Sequence, residues 1–179
     1  MAIGSTIHTF DVQLADTDRG VYEDYSLRAA RHPSETDAYL LTRLLALGFE
    51  YAEGIAFGGS VSDTEEPAVV VRDLTGRITA WIEVGAPDAE RLHHATRLAD
   101  RVVVYTHRDP VKVMAPWADK RIHRADDVRV YSFDPGFIES AAPLLERRNA
   151  VTMTVTEQTL YLTLNGTSLT TAVHEHSIG

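Results

Sequence analysis

Two glutamates flank an apolar hairpin, and their spacing suits metal chemistry. Ala68-Val69-Val70-Val71-Arg72 and Arg77-Ile78-Thr79-Ala80-Trp81-Ile82-Glu83-Val84 read as strands, joined by an Asp73-Leu74-Thr75-Gly76 turn. If Arg72 pairs with Arg77, Glu66 falls opposite Glu83. Directly opposed residues have Cβ atoms about 5 Å apart, and like charges there repel. Two such carboxylates need a proton, an arginine or a metal between them. A hard cation such as Mg²⁺ or Mn²⁺, which takes carboxylate oxygens and water, suits the grouping.

Each residue also has a plainer reading. A one-residue slip turns Glu66 to the other face, as a solvated loop acid. Glu83 follows Ala80-Trp81-Ile82 in a strand that looks buried on both faces, and its alternative is a salt bridge to an arginine. Asp73 is a turn residue by type. Glu35 opens a helix capped by Ser34, with Asp37 in a capping-box position, and favours the helix dipole whatever else it does.

The elements that must hold these residues read as a mixed α/β chain of one domain, 1–179. Thr6 to Leu14 alternates as a half-buried strand, and Asp16 to Gly20 is a turn. Leu40, Leu41, Leu44, Leu45 and Leu47 give the first helix a wide apolar face that stops near Gly48. Residues 53–66 are loop-like. A helix from Pro87 to about Asp100 leads into Val102-Val103-Val104-Tyr105, so a right-handed crossover and a parallel pair are expected. Residues 128–131 read as a strand and 135–146 as a helix. Residues 150–173 read as a β-meander turning at Glu157-Gln158 and Asn165-Gly166, and His174-Glu175-His176 as a solvated end.

Composition excludes several chemistries. The chain has no cysteine, so thiolate metal sites and cysteine nucleophiles are absent, and a reducing, cytoplasmic setting is expected. Met1-Ala2-Ile3-Gly4-Ser5-Thr6 lacks the basic and apolar regions of a secretory signal, and no apolar stretch is long enough to span a bilayer. Residues 1–100 carry 17 acidic and 8 basic side chains, the whole of the net charge of −9; the remainder balances at 9 and 9. A nucleic-acid partner is therefore expected to bind weakly at most. No Gly-rich phosphate loop or Ser-His-Asp arrangement is evident.

Four segments carry a resemblance: Asp16-Thr17-Asp18-Arg19, Arg31-His32-Pro33-Ser34-Glu35-Thr36, Glu66-Pro67, and Trp81-Ile82-Glu83-Val84-Gly85-Ala86-Pro87. Together they resemble the bacterial YaeQ family from about residue 3 to about residue 172. The family's fold is similar to the PD-(D/E)XK nucleases. The resemblance therefore implies a restriction-endonuclease-like core, with an added N-terminal strand and a C-terminal β-meander. Carried over, it makes Glu35, Glu66 and Glu83 metal ligands, with Asp73 the weaker substitute for Glu66. Gly85 stands where the superfamily has its lysine. Arg91, and after it Arg43, is the cation that replaces it. Arginine stays protonated and cannot act as a base, so activity would rest on metal-bound water. The resemblance leaves two functions open: an Mg²⁺- or Mn²⁺-dependent phosphodiesterase on nucleic acid, or a catalytically inactive binding or regulatory protein.

Overall fold

The computed structural model describes residues 4–59 and 66–178. The reading of the N-terminus at residues 1–3, and the middle of the acidic loop at residues 60–65, lie outside the described residues.

A helix buried on every side has to be wrapped by something, and here it is wrapped by the sheet. In α1 (Asp37–Phe49) every residue from Leu40 to Phe49 is buried. Around it curves one ten-stranded mixed sheet, nearly closed, in the order β2-β1-β8-β9-β10-β7-β6-β5-β4-β3. Its strands are β1 (Thr6–Asp16), β2 (Val21–Arg31), β3 (Ile55–Phe57), β4 (Val69–Arg72) and β5 (Ile78–Val84). They continue as β6 (Arg101–Tyr105), β7 (Arg129–Phe133), β8 (Arg148–Thr156), β9 (Thr159–Leu164) and β10 (Thr167–Ser177). The inner faces of β1, β8 and β9 place Phe10, Val12, Leu14, Val151, Met153, Val155, Leu160, Leu162 and Leu164 against α1.

The central strands are covered on both faces. Ala80, Ile82 and Val84 of β5 join the inner core, whereas Trp81 joins an outer one. That outer core holds Leu92 and Ala95 of α2 (Ala89–Leu98), with Val102, Val104, Val113 and Trp117. Strands β5 and β6 pair in parallel through the α2 crossover, as the sequence predicts.

Several expectations need correction. The sequence predicts one added N-terminal strand, but β1 pairs along its whole length with β2, whose polar sequence hides it. Helix α1 is capped by Thr36, whose hydroxyl accepts from Tyr39 N–H at 3.0 Å; Ser34 instead bonds His32 at 2.6 Å. Glu35 thus precedes the cap. The C-terminal histidines lie within β10, which pairs with β9 as far as Ala172 and then with β7 from Val173. That change of partner joins the meander to the parallel strands.

The cap assignment is testable. Thr36→Ala should destabilise the protein by about 1 kcal/mol in urea unfolding. Ser34→Ala should change stability by under about 0.5 kcal/mol, because its bond is exposed.

Candidate functional site

In open α/β sheets, polar pockets form where parallel strands end. Here the carboxyl ends of β5 and β6 meet the chain entering α1. They enclose a cavity of 310 Å³ lined by Glu35, Tyr39, Glu83, Arg91, His107 and Arg108, among others. Three residues singled out from sequence, Glu35, Glu83 and Arg91, therefore do share one pocket.

Glu83 sits on the outer face of β5, facing α2, and is 5% exposed. Its Oε1 accepts from the Trp81 indole at 2.6 Å and from Arg91 Nε at 2.7 Å. Arg91 is held in turn: Asp88, the cap of α2, accepts from its backbone N–H at 2.8 Å. Its guanidinium also donates to the Glu66 carbonyl at 2.8 Å and stands 5.7 Å from the Trp81 ring centroid. Burial pushes the Glu83 carboxyl above its ordinary range, and the charge of Arg91 and the indole N–H only partly offset it. The arginine partner foreseen as the plain alternative for Glu83 is the one observed.

The rest of the pocket is differently disposed. Glu35 is 2% exposed. Burial pushes the Tyr39 phenol up to about 12, with Arg43, Glu35, Glu83 and Arg91 all contributing to its field. Tyr39 is thus a protonated donor at neutral pH. Burial, aided by Arg108, lowers the His107 pKa and keeps the ring neutral there. Its Nδ1 is buried without a hydrogen-bond partner among the described residues. The Tyr39 hydroxyl and the Arg108 guanidinium likewise make no hydrogen bond or ion pair there. Sequence reasoning missed these three residues. The available signal was position: His107 and Arg108 directly follow an apolar parallel strand.

Other predicted site residues lie elsewhere. In the hairpin Val69 faces Ile82 and Val71 faces Ala80, with a bulge before Arg72, which faces Ile78. Continued, that register sets Ala68, not Glu66, across from Glu83. The turn is one residue longer than expected because Asp73 accepts from Thr75 and from Arg77 N–H, and Asp73 N–H bonds Arg77 O. Asp73 is therefore a turn residue. The Glu66 carboxylate bonds Arg72 at 2.7 Å. Arg43 is 3% exposed and donates to the carbonyls of Ala68, Gly58 and Gly59. Gly85 has φ +98°, where a lysine side chain would be strained. Among the described residues no three histidine, aspartate or glutamate side chains are placed to hold a metal. Glu35, Glu66 and Glu83 are accordingly not gathered into such a group in this structure.

A larger cavity, 590 Å³, opens at the other end of α1. Its walls are mainly apolar, and Glu50 there is taken by Arg101 at 2.8 Å and the Tyr105 hydroxyl at 2.8 Å. The Arg19 guanidinium is bound to the carbonyls of Phe49 and Tyr51. The ionic groups of this cavity are therefore satisfied internally among the described residues.

Together these features define a mixed α/β protein with a buried helix inside a curved sheet and a polar pocket at the strand ends. The chain belongs to the YaeQ family, whose model, described as YaeQ protein, matches residues 1–173. It is 39% identical over 108 residues to the uncharacterized protein YaeQ of Escherichia coli K12, covering 60% of this chain and 59% of that one. With the Salmonella typhi YaeQ it shares 29% identity over 164 residues, 90% of each. The match thus spans about 59% of the Escherichia coli relative's length. The crystal structure of YaeQ from Pseudomonas syringae superposes with a TM-score of 0.88 at 31% identity, over 98% of this chain and 97% of that one. That of Xanthomonas axonopodis pv. citri gives 0.88 at 28%, over 98% and 99%.

Proposed function

We propose that the pocket at the start of α1 binds a small phosphate-bearing ligand without hydrolysing it. The observation that carries this reading is the split between engaged and open groups. Glu83 is occupied by Arg91 and Trp81, while Tyr39, His107 and Arg108 line the same cavity, and the Tyr39 hydroxyl and Arg108 guanidinium make no hydrogen bond among the described residues. A guanidinium and a phenol donor suit phosphate oxygens, and hydrogen bonds to a charged group are the stronger kind. The cavity of 310 Å³ has the size of a small-molecule site. The net charge of −9 opposes a long polyanion more than a small one.

Calorimetric titration with inorganic phosphate and with a nucleoside monophosphate tests the reading. Arg108→Ala should weaken binding about tenfold or more, and Tyr39→Phe by several-fold. No binding, or equal affinity in wild type and both variants, would refute it.

The second reading is the metal-dependent phosphodiesterase on the nuclease-like core that the family resemblance implies. Its support is that Glu35 and Glu83 line one cavity. It requires Mg²⁺ or Mn²⁺ to take Glu83 from Arg91, and a basic group other than lysine beside the phosphate.

A further inference from the structure

Among the described residues, strand β2 ends the sheet and pairs with β1 alone. Which of its backbone groups point outward follows from the next ladder. Thr9 N–H donates to Arg147 O and Thr17 N–H to Val155 O, so odd residues of β1 turn toward β8 and even residues toward β2. In the β1–β2 register Phe10 faces Leu27 and Val12 faces Tyr25, so the odd residues of β2 complete that ladder. Tyr22, Asp24, Ser26, Arg28 and Ala30 therefore aim their N–H and C=O groups away from the sheet. All five side chains are exposed.

An open edge of this kind is a template for another strand, and proteins commonly blunt it with proline, bulges or short length. β2 has 11 residues, no proline and an unbroken register with β1, whereas β3 at the other edge has three residues. Its charges are divided by sign: Glu23 and Asp24 in the first half, Arg28 and Arg31 in the second. Asp24 and Arg28 make no ion pair or hydrogen bond through their side chains among the described residues.

We propose that β2 is a homodimer interface, in which two copies pair antiparallel about a two-fold axis through Ser26 and continue the sheet from one subunit into the other. Ser26 is the midpoint of Val21–Arg31, so this register overlaps the whole strand. It sets even residues against even residues, as the outward backbone groups require. It also brings Asp24 opposite the partner's Arg28 twice over, and Tyr22 opposite the partner's Ala30. On the other face Tyr25 meets the partner's Leu27 and Glu23 meets the partner's Ala29. No like charges are opposed, and opposite charges across a ladder favour pairing. A two-fold contact needs this self-complementarity. A parallel pairing in register would set each Asp24 beside the partner's Asp24.

Sedimentation velocity over a concentration series decides it. The wild-type chain should show a reversible monomer–dimer equilibrium. Arg28→Asp should raise the dimer dissociation constant about tenfold, and the double exchange Asp24→Arg/Arg28→Asp should restore it to within about threefold. Ser26→Pro removes an outward N–H and leaves the β1 ladder intact, so it should abolish the dimer with the fold retained by circular dichroism. A wild-type chain that stays monomeric at all concentrations overturns the proposal. So does a dimer indifferent to Ser26→Pro, or one that the double exchange fails to restore. Either of the last two outcomes would assign association to another surface.

Discussion

Glu83→Ala lowers the unfolding free energy by about 3 kcal/mol in urea with EDTA present, because it removes the carboxylate shared by Arg91 and the Trp81 indole. Glu83→Gln loses less than half as much, since both donors bond Oε1 and an amide oxygen can still accept from them, without the charge. The pH dependence has a definite sign. Burial raises the Glu83 pKa in the folded state, so folding favours its protonated form. That contribution is complete below the unfolded carboxylate pKa and is lost as pH rises through the raised folded value. The stability advantage of wild type over Glu83→Gln should therefore shrink as pH rises across that window. Urea midpoints at a series of pH values measure it. A neutral or stabilising Glu83→Ala would show instead that carboxylates repel one another at this position, as a metal site without its metal requires.

Arg43→Met costs about 3 kcal/mol, the second large effect expected. Arg43 keeps the carbonyls of Gly58, Gly59 and Ala68 satisfied at the entry to β4, and its guanidinium lies 4.8 Å from the Phe57 ring centroid. Methionine keeps the bulk but takes the Arg43 donor from the Gly58 and Gly59 carbonyls, whereas the Ala68 carbonyl still accepts from Gly58 N–H at 2.9 Å. Arg43→Lys should recover little, because one ammonium cannot reproduce the fork. Phosphate binding in the pocket should be unchanged at temperatures where the variant is folded. Loss of binding with stability intact would make Arg43 the site cation and reverse its assignment.

The legibility of this fold divides along physical lines. β5, α2 and β6 could be read because their apolar periods are strong and their ends marked by Pro87 and Asp88. β2 was not read, because its inward alternation at Tyr25, Leu27 and Ala29 is short and is broken before it by the charged pair Glu23-Asp24. The switch of β10 from β9 to β7 is a tertiary event with no local signal. At the site, Glu83 and Arg91 were identifiable by type and place. The hairpin register was not, because the side-chain bonds of Asp73 and a bulge before Arg72 lengthen the turn. That shift separates Glu66 from Glu83, and with it the expected three-carboxylate cluster. Tyr39, His107 and Arg108 converge from α1 and the chain after β6, a meeting that only the folded chain creates.

A pocket that holds phosphate without cutting it should leave DNA intact. A plasmid-nicking assay in Mn²⁺ with stringently purified protein, beside Glu83→Ala and Arg91→Ala, tests it most directly. Arg91 neutralises Glu83 and cannot take a proton, so metal-bound water would have no base from this pair. Wild type should give no cleavage above a protein-free control. Robust Mn²⁺-dependent cleavage by wild type that is lost in both variants would contradict it and establish the phosphodiesterase.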